Sequence, residues 1–196
     1  EIEPGDWSSD VCSSDLHFTA MKLAKLGMVE QELAGVMEGI AHSQGAMTSF
    51  PTILSQNGET LHNHSHHQIL TEGRLIVIDA GAENNMNYCS DFTRTIPSSG
   101  KFTQQQKEIY NIVAAANNLA QGMARPGLTY KDVHLASCKV LAKGLKELGL
   151  MKGDVDEAVA AGAHALFMPH GLGHNMGLDV HDMEDLGQIY VGYDDT

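Results

Sequence analysis

Hydrophobic positions recur at two different periods along the chain, and the change of period predicts an α+β fold. Residues 74–80 (RLIVIDA) are apolar and β-branched, which indicates a buried strand. A loop rich in Gly and Asn follows, and residues 88–96 resume as a second strand, so this region is predicted to be a hairpin. Residues 104–124 have helical periodicity instead, with Thr103 as the expected N-cap.

A short pattern occurs twice, about one hundred positions apart. AKLGM at 24–28 precedes an amphipathic stretch at 30–46, and ARPGL at 124–128 precedes another at 130–148. In each case a helix is expected to end at a basic residue, turn through a glycine and be followed by a new helix. The repetition predicts an internally duplicated α+β domain.

The first sixteen residues, EIEPGDWSSDVCSSDL, have neither helical nor strand periodicity and no signal-peptide plan. Residues 6–16 resemble the in-frame translation of a common sequencing adapter. We therefore interpret residues 1–16 as an artefactual, non-native segment and exclude them from fold reasoning. The alternative is a disordered natural tail. The genuine chain is expected to begin near His17, with its true start missing.

The composition excludes several classes of protein. A formal charge of −13 argues against a nucleic-acid partner, which would need a basic surface. No run approaches the ~18 apolar residues of a membrane-spanning helix. Three cysteines without a C-x-x-C spacing do not indicate a disulfide framework, so the reducing cytoplasm is the expected compartment.

Two acids lie in the predicted hairpin. If its loop is centred on Asn85, then Asp79 lies opposite Asp91, with Cβ atoms ~4.5–5.5 Å apart. Carboxylates that close repel each other and raise a pKa unless a cation lies between them. For Asp79 on its own, the favoured interpretation is a residue that merely starts the turn.

Three histidines fall within a glycine-rich stretch near the end of the chain, at 170–182 (HGLGHNMGLDVHD). Neutral imidazole is a common ligand of transition metals and a proton carrier near neutral pH. Glycines allow the backbone to approach a ligand closely. A single such histidine is uninformative, but this spacing points to a site.

Taken together, IDAG at 78–81, SDFTRTIP at 90–97, GKFT at 100–103 and the histidine stretch resemble the "pita-bread" metallopeptidases, in the branch of aminopeptidase P and prolidase. The resemblance covers residues 17–196. It implies that residues 17–196 are a partial catalytic metallopeptidase domain with the duplicated α+β pita-bread fold, truncated on its C-terminal side. It also implies that Asp79 binds one metal ion, Asp91 bridges two and His174 binds one.

The same resemblance implies hydrolysis of the bond between an N-terminal residue and a following proline. Two divalent ions, with Mn²⁺ favoured over Zn²⁺ or Co²⁺, would hold a bridging water and polarise the carbonyl. His62 and His181 would contact the substrate and assist catalysis, and His170 would support the site. The substrate would be a peptide with proline second, and the full-length parent is expected to be a homo-oligomer.

Two glutamate ligands complete the family's site and are not expected in this chain; Glu184, Asp185, Asp194 and Asp195 do not match them. We therefore expect the parent protein to be an enzyme and the chain as written to be inactive. Alternatives are a prolidase acting on Xaa-Pro dipeptides, a non-catalytic pita-bread binding protein, and a creatinase-like hydrolase.

Other residues near the motifs are expected to be structural. His64, His66 and His67 are interpreted as exposed loop residues, although such a tract could bind metal adventitiously. Cys89 is interpreted as a small buried residue rather than a ligand. Arg94 either pairs with acids near the site or occupies a surface strand position.

Overall fold

The computed structural model describes residues 8–183, and these form two compact units. The first unit contains the chain up to Phe102 and resumes at His174. Its elements are α1 (Ser8–Leu23), α2 (Glu30–Ser43), β1 (Met47–Thr48), β2 (Ile53–Ser55), β3 (Leu75–Ala80), β4 (Ala82–Glu83) and β5 (Phe92–Pro97). The second unit, Thr103–Gly173, contains α3 (Gln104–Met123), α4 (Tyr130–Glu147), α5 (Val155–Ala160) and a 3₁₀ helix (Ala163–Leu166).

Each unit begins with a helix pair joined by the turn that the repeated pattern predicted. Gly27 and Gly127 both have positive φ, at 85° and 93°, a conformation that glycine adopts without strain. The same backbone hydrogen bond precedes each turn: the Ala24 N–H donates to the Ala20 carbonyl oxygen, and the Ala124 N–H donates to the Ala120 carbonyl oxygen. The helix–turn–helix repeat is therefore confirmed. Thr103 caps α3 with a capping box, also as predicted.

The predicted hairpin exists, but its register differs from the expected one. Strand β3 is central in an antiparallel three-stranded sheet, between β2 and β5. Asp79 lies opposite Thr93 rather than Asp91. The loop is centred one residue later than expected, which shifts the pairing by two positions. Because a shift of two preserves the alternation of faces, Asp79 and Asp91 still project from the same side.

The turn itself explains the displaced centre. The Asn84 side-chain oxygen accepts hydrogen bonds from the backbone N–H groups of Met86 and Tyr88. Asn87 takes a positive φ of 65°, which asparagine tolerates better than most residues. The Asn84 backbone N–H also donates to the Tyr88 carbonyl oxygen, so the loop spans residues 84–88, centred on Met86, and an isolated bridge between Glu83 and Cys89 closes it.

Helix α1 begins within the segment that the sequence analysis excluded from fold reasoning, in the part of it that the structure describes. Residues 8–16 are helical, and Ser9, Cys12, Ser13 and Leu16 are buried together with Ala20. These positions recur every three or four residues, as on one face of a helix. Serine and cysteine on that face concealed the stripe from a search for apolar periodicity. The adapter origin stays a prediction, and residues 1–7 lie outside the described part.

The core of the first unit lies between the helix pair and one face of β3. Ile76, Ile78 and Ala80 point into it and pack against residues of α1 and α2 such as Leu16 and Leu33. Asp79 alternates onto the opposite face, where it is half-buried. The pleat of the strand thus separates the apolar core from the acidic position.

In the histidine-rich loop before β3, one of the three histidines that were expected to be exposed is buried. His64 and His67 are exposed, as expected. His66 is buried, with Nδ1 3.0 Å from the Leu54 carbonyl oxygen. The expectation that His66 is an exposed loop residue was therefore wrong, because its ring fastens the loop to β2.

We predict that Gly81→Ala destabilises the hairpin. An added Cβ would overlap the Ser90 carbonyl and the Ser49 hydroxyl, and overpacking of this kind costs about 1–3 kcal/mol or more. The matched control is Gly39→Ala, because Gly39 lies in the exposed part of α2 with open space around it. There, alanine should stabilise by about 0.5–1 kcal/mol. Urea unfolding of both variants checks the prediction; equal midpoints would contradict it.

Candidate active site

Three of the predicted site residues come together in the first unit. Asp79 lies near the end of β3, Asp91 immediately precedes β5, and His174 begins the segment at which the chain re-enters this unit. The side chains of Asp91 and His174 are 23% and 22% exposed. The hairpin thus supplies two acids on one face, and the glycine-rich segment adds an imidazole.

The two acids act on each other electrostatically. The pKa of Asp79 is raised from 3.8 to about 6, chiefly by burial and secondly by the charge of Asp91. A hydrogen-bonding contact from Thr93 and the charge of His174 partly oppose this rise. Without a cation, the fold therefore holds Asp79 in surroundings that disfavour its charged form.

One oxygen of Asp79 indicates what is needed to complete the site. Oδ1 is buried and has no hydrogen-bond partner within the described chain. Leaving a buried acceptor unsatisfied costs about 1–3 kcal/mol, and more for a charged group. A divalent cation at this oxygen would satisfy it and offset the repulsion by Asp91. The residues present therefore fit a metal ion.

The ring of His174 is oriented for the same purpose. Its Nδ1 is 2.8 Å from the carbonyl oxygen of Asn175, so Nδ1 carries the donated proton. Its Nε2 is 3.1 Å from Oδ2 of Asp91. In the neutral ring, Nε2 then presents a lone pair toward a carboxylate, and a cation between the two resolves the conflict. Metal-binding histidines usually donate their other ring N–H in this way.

His181 lies directly against His174. The two rings stack with centroids 3.7 Å apart and an interplanar angle of 15°. Stacking of this kind restricts the rotation of the His174 ring and places a second imidazole beside the one that contacts Asp91. The structure therefore brings four of the predicted residues together.

The other two predicted histidines are not joined to this cluster. His62 is exposed in the loop between β2 and β3, with a positive φ of 51°. Within the described chain, no hydrogen bond, ion pair or ring contact connects it to Asp79, Asp91 or His174. His170 belongs to the second unit and is exposed, with Nδ1 2.7 Å from the Gly171 carbonyl oxygen.

A serine next to Asp91 fixes the position of that acid. The Ser90 hydroxyl is bonded to the Ser13 hydroxyl of α1 and accepts a hydrogen bond from the Ala82 backbone N–H at 3.0 Å. It also lies 3.1 Å from the carbonyl oxygen of Ser9. Helix α1, which the sequence analysis set aside in part, thus anchors the segment that carries Asp91.

Hydrogen bonds also join the hairpin to the segment that carries His174 and His181. The Cys89 backbone N–H donates to the carbonyl oxygen of Gly177 at 2.8 Å, and its thiol donates to the carbonyl oxygen of Leu178 at 3.4 Å. Cys89 is buried, in agreement with its structural interpretation. Of the two predicted positions for Arg94, the structure shows the surface strand position. Its side chain is exposed and donates to the Thr93 carbonyl oxygen at 2.8 Å.

Thr93 is the residue near the site that sequence reasoning did not select. It is the direct cross-strand partner of Asp79, and its hydroxyl favours the charged form of that acid. The strand alternation that places Asp91 on the site face also places Thr93 there. Correct placement of the turn would have identified it.

Comparison with known proteins identifies the family. The model of metallopeptidase family M24 matches residues 10–196. The chain is a member of metallopeptidase family M24. The Xaa-Pro aminopeptidase of Escherichia coli is 41% identical to it over 175 residues, and a probable Xaa-Pro aminopeptidase of Chaetomium globosum is 36% identical over 186 residues.

Solved structures confirm the predicted pita-bread α+β fold. Zn-substituted E. coli aminopeptidase P in complex with product matches with a TM-score of 0.89 at 37% identity, over 96% of this chain and 44% of that one. Pseudomonas aeruginosa aminopeptidase PepP matches with a TM-score of 0.85 at 36% identity, over 89% of this chain and 40% of that one.

The match covers only part of each relative. This chain is matched over 88% of its length by the E. coli protein but spans 40% of that protein, and it spans 31% of the C. globosum protein. Glu184, Asp185, Asp194 and Asp195, which the sequence analysis did not assign as ligands, lie outside the described residues. Within the described part, no helix is long and apolar enough to cross a membrane.

We predict that Asp79→Asn stabilises the metal-free chain at neutral pH. The folded chain holds the Asp79 proton more tightly than the unfolded chain, because the pKa is about 6 in the fold and ordinarily 3.8. Stability is therefore lost as pH rises through the window between these values, and the whole penalty is present above it. Removing the acid should raise the free energy of unfolding at pH 7 by about 1–3 kcal/mol and change it little at pH 4.

Urea unfolding at a series of pH values, with EDTA present, measures this effect. Glu59→Gln is the control, since Glu59 is an exposed acid in the same unit. An Asp79→Asn curve that runs parallel to the wild-type curve from pH 4 to pH 7 would show that the acid is not strained in the fold.

Proposed function

We propose that the protein represented by this chain is a metal-dependent aminopeptidase that hydrolyses the bond between an N-terminal residue and a following proline. The observation that carries the proposal is the cluster of Asp79, Asp91 and His174, with its unsatisfied buried carboxylate oxygen. Relatives named Xaa-Pro aminopeptidase, at 36–41% identity, support the reaction class.

The proposed roles begin with the metal ligands. Asp79 and His174 would each bind one divalent ion, and Asp91 would contact both, because it lies beside each of the other two. Two glutamates complete the set in the family that the sequence resembles. When bound, the ions polarise the scissile carbonyl and lower the pKa of water.

The choice of metal follows from the donors. Carboxylate oxygens outnumber imidazole nitrogens in this cluster, and such sites suit Mn²⁺, with Zn²⁺ or Co²⁺ as alternatives. We propose two Mn²⁺ ions in the native protein. Zinc can also occupy the site of E. coli aminopeptidase P, as its Zn-substituted form indicates.

The histidines would act on the substrate side. His181, which stacks on His174, would hold or donate a proton at the scissile peptide and would restrain the metal-binding ring. We propose that His62 also contacts the substrate and assists catalysis, for which its exposed loop would have to turn toward the acids. We propose a supporting role for His170. Their assignment rests on the sequence motifs.

The proposed partner is a peptide with proline in the second position. The formal charge of −13 supports the absence of a nucleic-acid partner. The reducing cytoplasm is proposed as the compartment, since the chain has three cysteines and none is paired. Homo-oligomerisation of the full-length parent is proposed from the family resemblance.

We expect the gene product, read in full from its source and supplied with Mn²⁺, to release the first residue of a tripeptide with proline second. Replacing that proline by alanine should reduce kcat/KM by at least about tenfold, because discrimination of about 1–3 kcal/mol is ordinary for one missing structural feature. Asp91→Asn should abolish turnover. Release from Xaa-Pro dipeptides alone would favour prolidase, and a folded, metal-loaded protein without turnover would favour the binding-protein alternative.

The 196-residue chain itself is expected to be inactive, because the described residues supply three of the five ligands that the resemblance implies. The same tripeptide assay on the purified chain, with folding checked by circular dichroism, tests this. Measurable proline-dependent release that disappears in His174→Ala would show that the ligand set is sufficient.

A further inference from the structure

A second group of metal-ligating side chains lies in the second unit. His134 and Cys138 of α4 meet His164 of the 3₁₀ helix, and one ligand atom from each lies within 4.8 Å of the other two. Within residues 8–183 this is the only group of three or more His, Cys, Asp or Glu side chains that are so close. It uses none of the residues of the candidate active site.

The helix positions two of the three side chains. His134 and Cys138 are four residues apart on α4 and therefore lie on one face, a turn apart. The Cys138 sulfur is 3.4 Å from Nε2 of His134. The His164 ring meets the His134 ring edge to face, with centroids 5.9 Å apart.

The surroundings of the group are apolar. Cys138 is fully buried and packs with Ala142 and Val159 in the core of the second unit. Partly buried residues, including Leu135 and Met168, pack against this core. A metal bound here would be shielded from water on the side of the sulfur.

One polar atom of the group lacks a partner. Nδ1 of His164 is buried and makes no hydrogen bond within the described chain. A buried unsatisfied nitrogen is costly, and a ligand that accepts its lone pair would remove that cost. The packing of the second unit therefore accounts for the position of Cys138 but does not account for that of His164.

We infer that His134, Cys138 and His164 form a zinc site. One thiolate and two imidazoles match the ligands that Zn²⁺ prefers, whereas Mn²⁺ prefers oxygen. Tetrahedral zinc with ordinary bond lengths separates its nitrogen and sulfur ligands by roughly 3.4–3.6 Å. The sulfur–nitrogen distance of 3.4 Å already fits, and the remaining ligand atoms, within 4.8 Å, need a movement of about 1 Å.

Binding is a simple exchange. The Cys138 thiol releases its proton to solvent, and the resulting thiolate and the two neutral imidazoles each donate an electron pair to the ion; nothing is oxidised or reduced. Three protein ligands leave one tetrahedral position for water. The ion would join α4 to the 3₁₀ helix and stabilise the second unit.

Cobalt substitution in the complete 196-residue chain tests the inference. Co²⁺ bound to a thiolate gives a near-ultraviolet charge-transfer band, which oxygen and imidazole ligands do not give. This band should appear in the wild type and persist in Asp79→Asn and in Cys89→Ser. It should be lost in Cys138→Ser, and Zn²⁺ should displace it.

His164→Ala provides a second test if Cys138→Ser does not fold. This variant keeps the thiol in place and should retain the helical circular dichroism of the wild type, while its cobalt affinity falls by at least tenfold. Wild-type affinity in folded His164→Ala, persistence of the band in folded Cys138→Ser, or absence of the band from the folded wild type would each overturn the zinc site.

Discussion

The burial of Asp79 beside the charge of Asp91 is the constraint on which the candidate site depends. The hairpin places both carboxylates on one face, half-buried, and raises the pKa of Asp79 to about 6. A protein that only had to fold would gain by replacing either acid. Their presence together, beside an imidazole whose Nε2 points at Asp91, is explained by cations that Asp91 would share with Asp79 on one side and with His174 on the other.

The scaffold holds this unfavourable arrangement from both sides. The apolar face of β3 is buried against the helix pair, so the strand cannot rotate to release Asp79 to solvent. The Ser90 hydroxyl is hydrogen-bonded to α1, and the Cys89 backbone N–H is hydrogen-bonded to the segment that carries His174 and His181. The energy of core packing thus compensates for the electrostatic cost of the site, as is common where function requires strain.

The sequence predicted α2, α3, α4, β3, β5 and the repeated helix–turn–helix, and four of its six site residues cluster, because these depend on local periodicity and on motifs. It did not predict β1, β2, β4, α5 or the 3₁₀ helix, which are too short to show a period. It misplaced what depends on a turn of a few residues. The loop centre was predicted at Asn85, whereas the hydrogen bonds of Asn84 close a loop at 84–88 centred on Met86, so the cross-strand partner of Asp79 is Thr93. It also missed the buried face of α1, because serine and cysteine pack there where apolar residues were sought. The burial of His66 escaped for a similar reason, since a histidine that bonds to a carbonyl leaves no hydrophobic signal.

The most direct test of the account is a titration of the 196-residue chain with Mn²⁺ at pH 7, following the electron paramagnetic resonance signal of the free ion. Mn²⁺ suits the test because it favours the carboxylates of the first unit over the sulfur and nitrogen donors of the second. The account predicts saturable binding by the folded wild type that is lost in Asp91→Asn. Binding that is unchanged in that variant, or absent from the folded wild type, would contradict the claim that the two acids are held together for a metal ion.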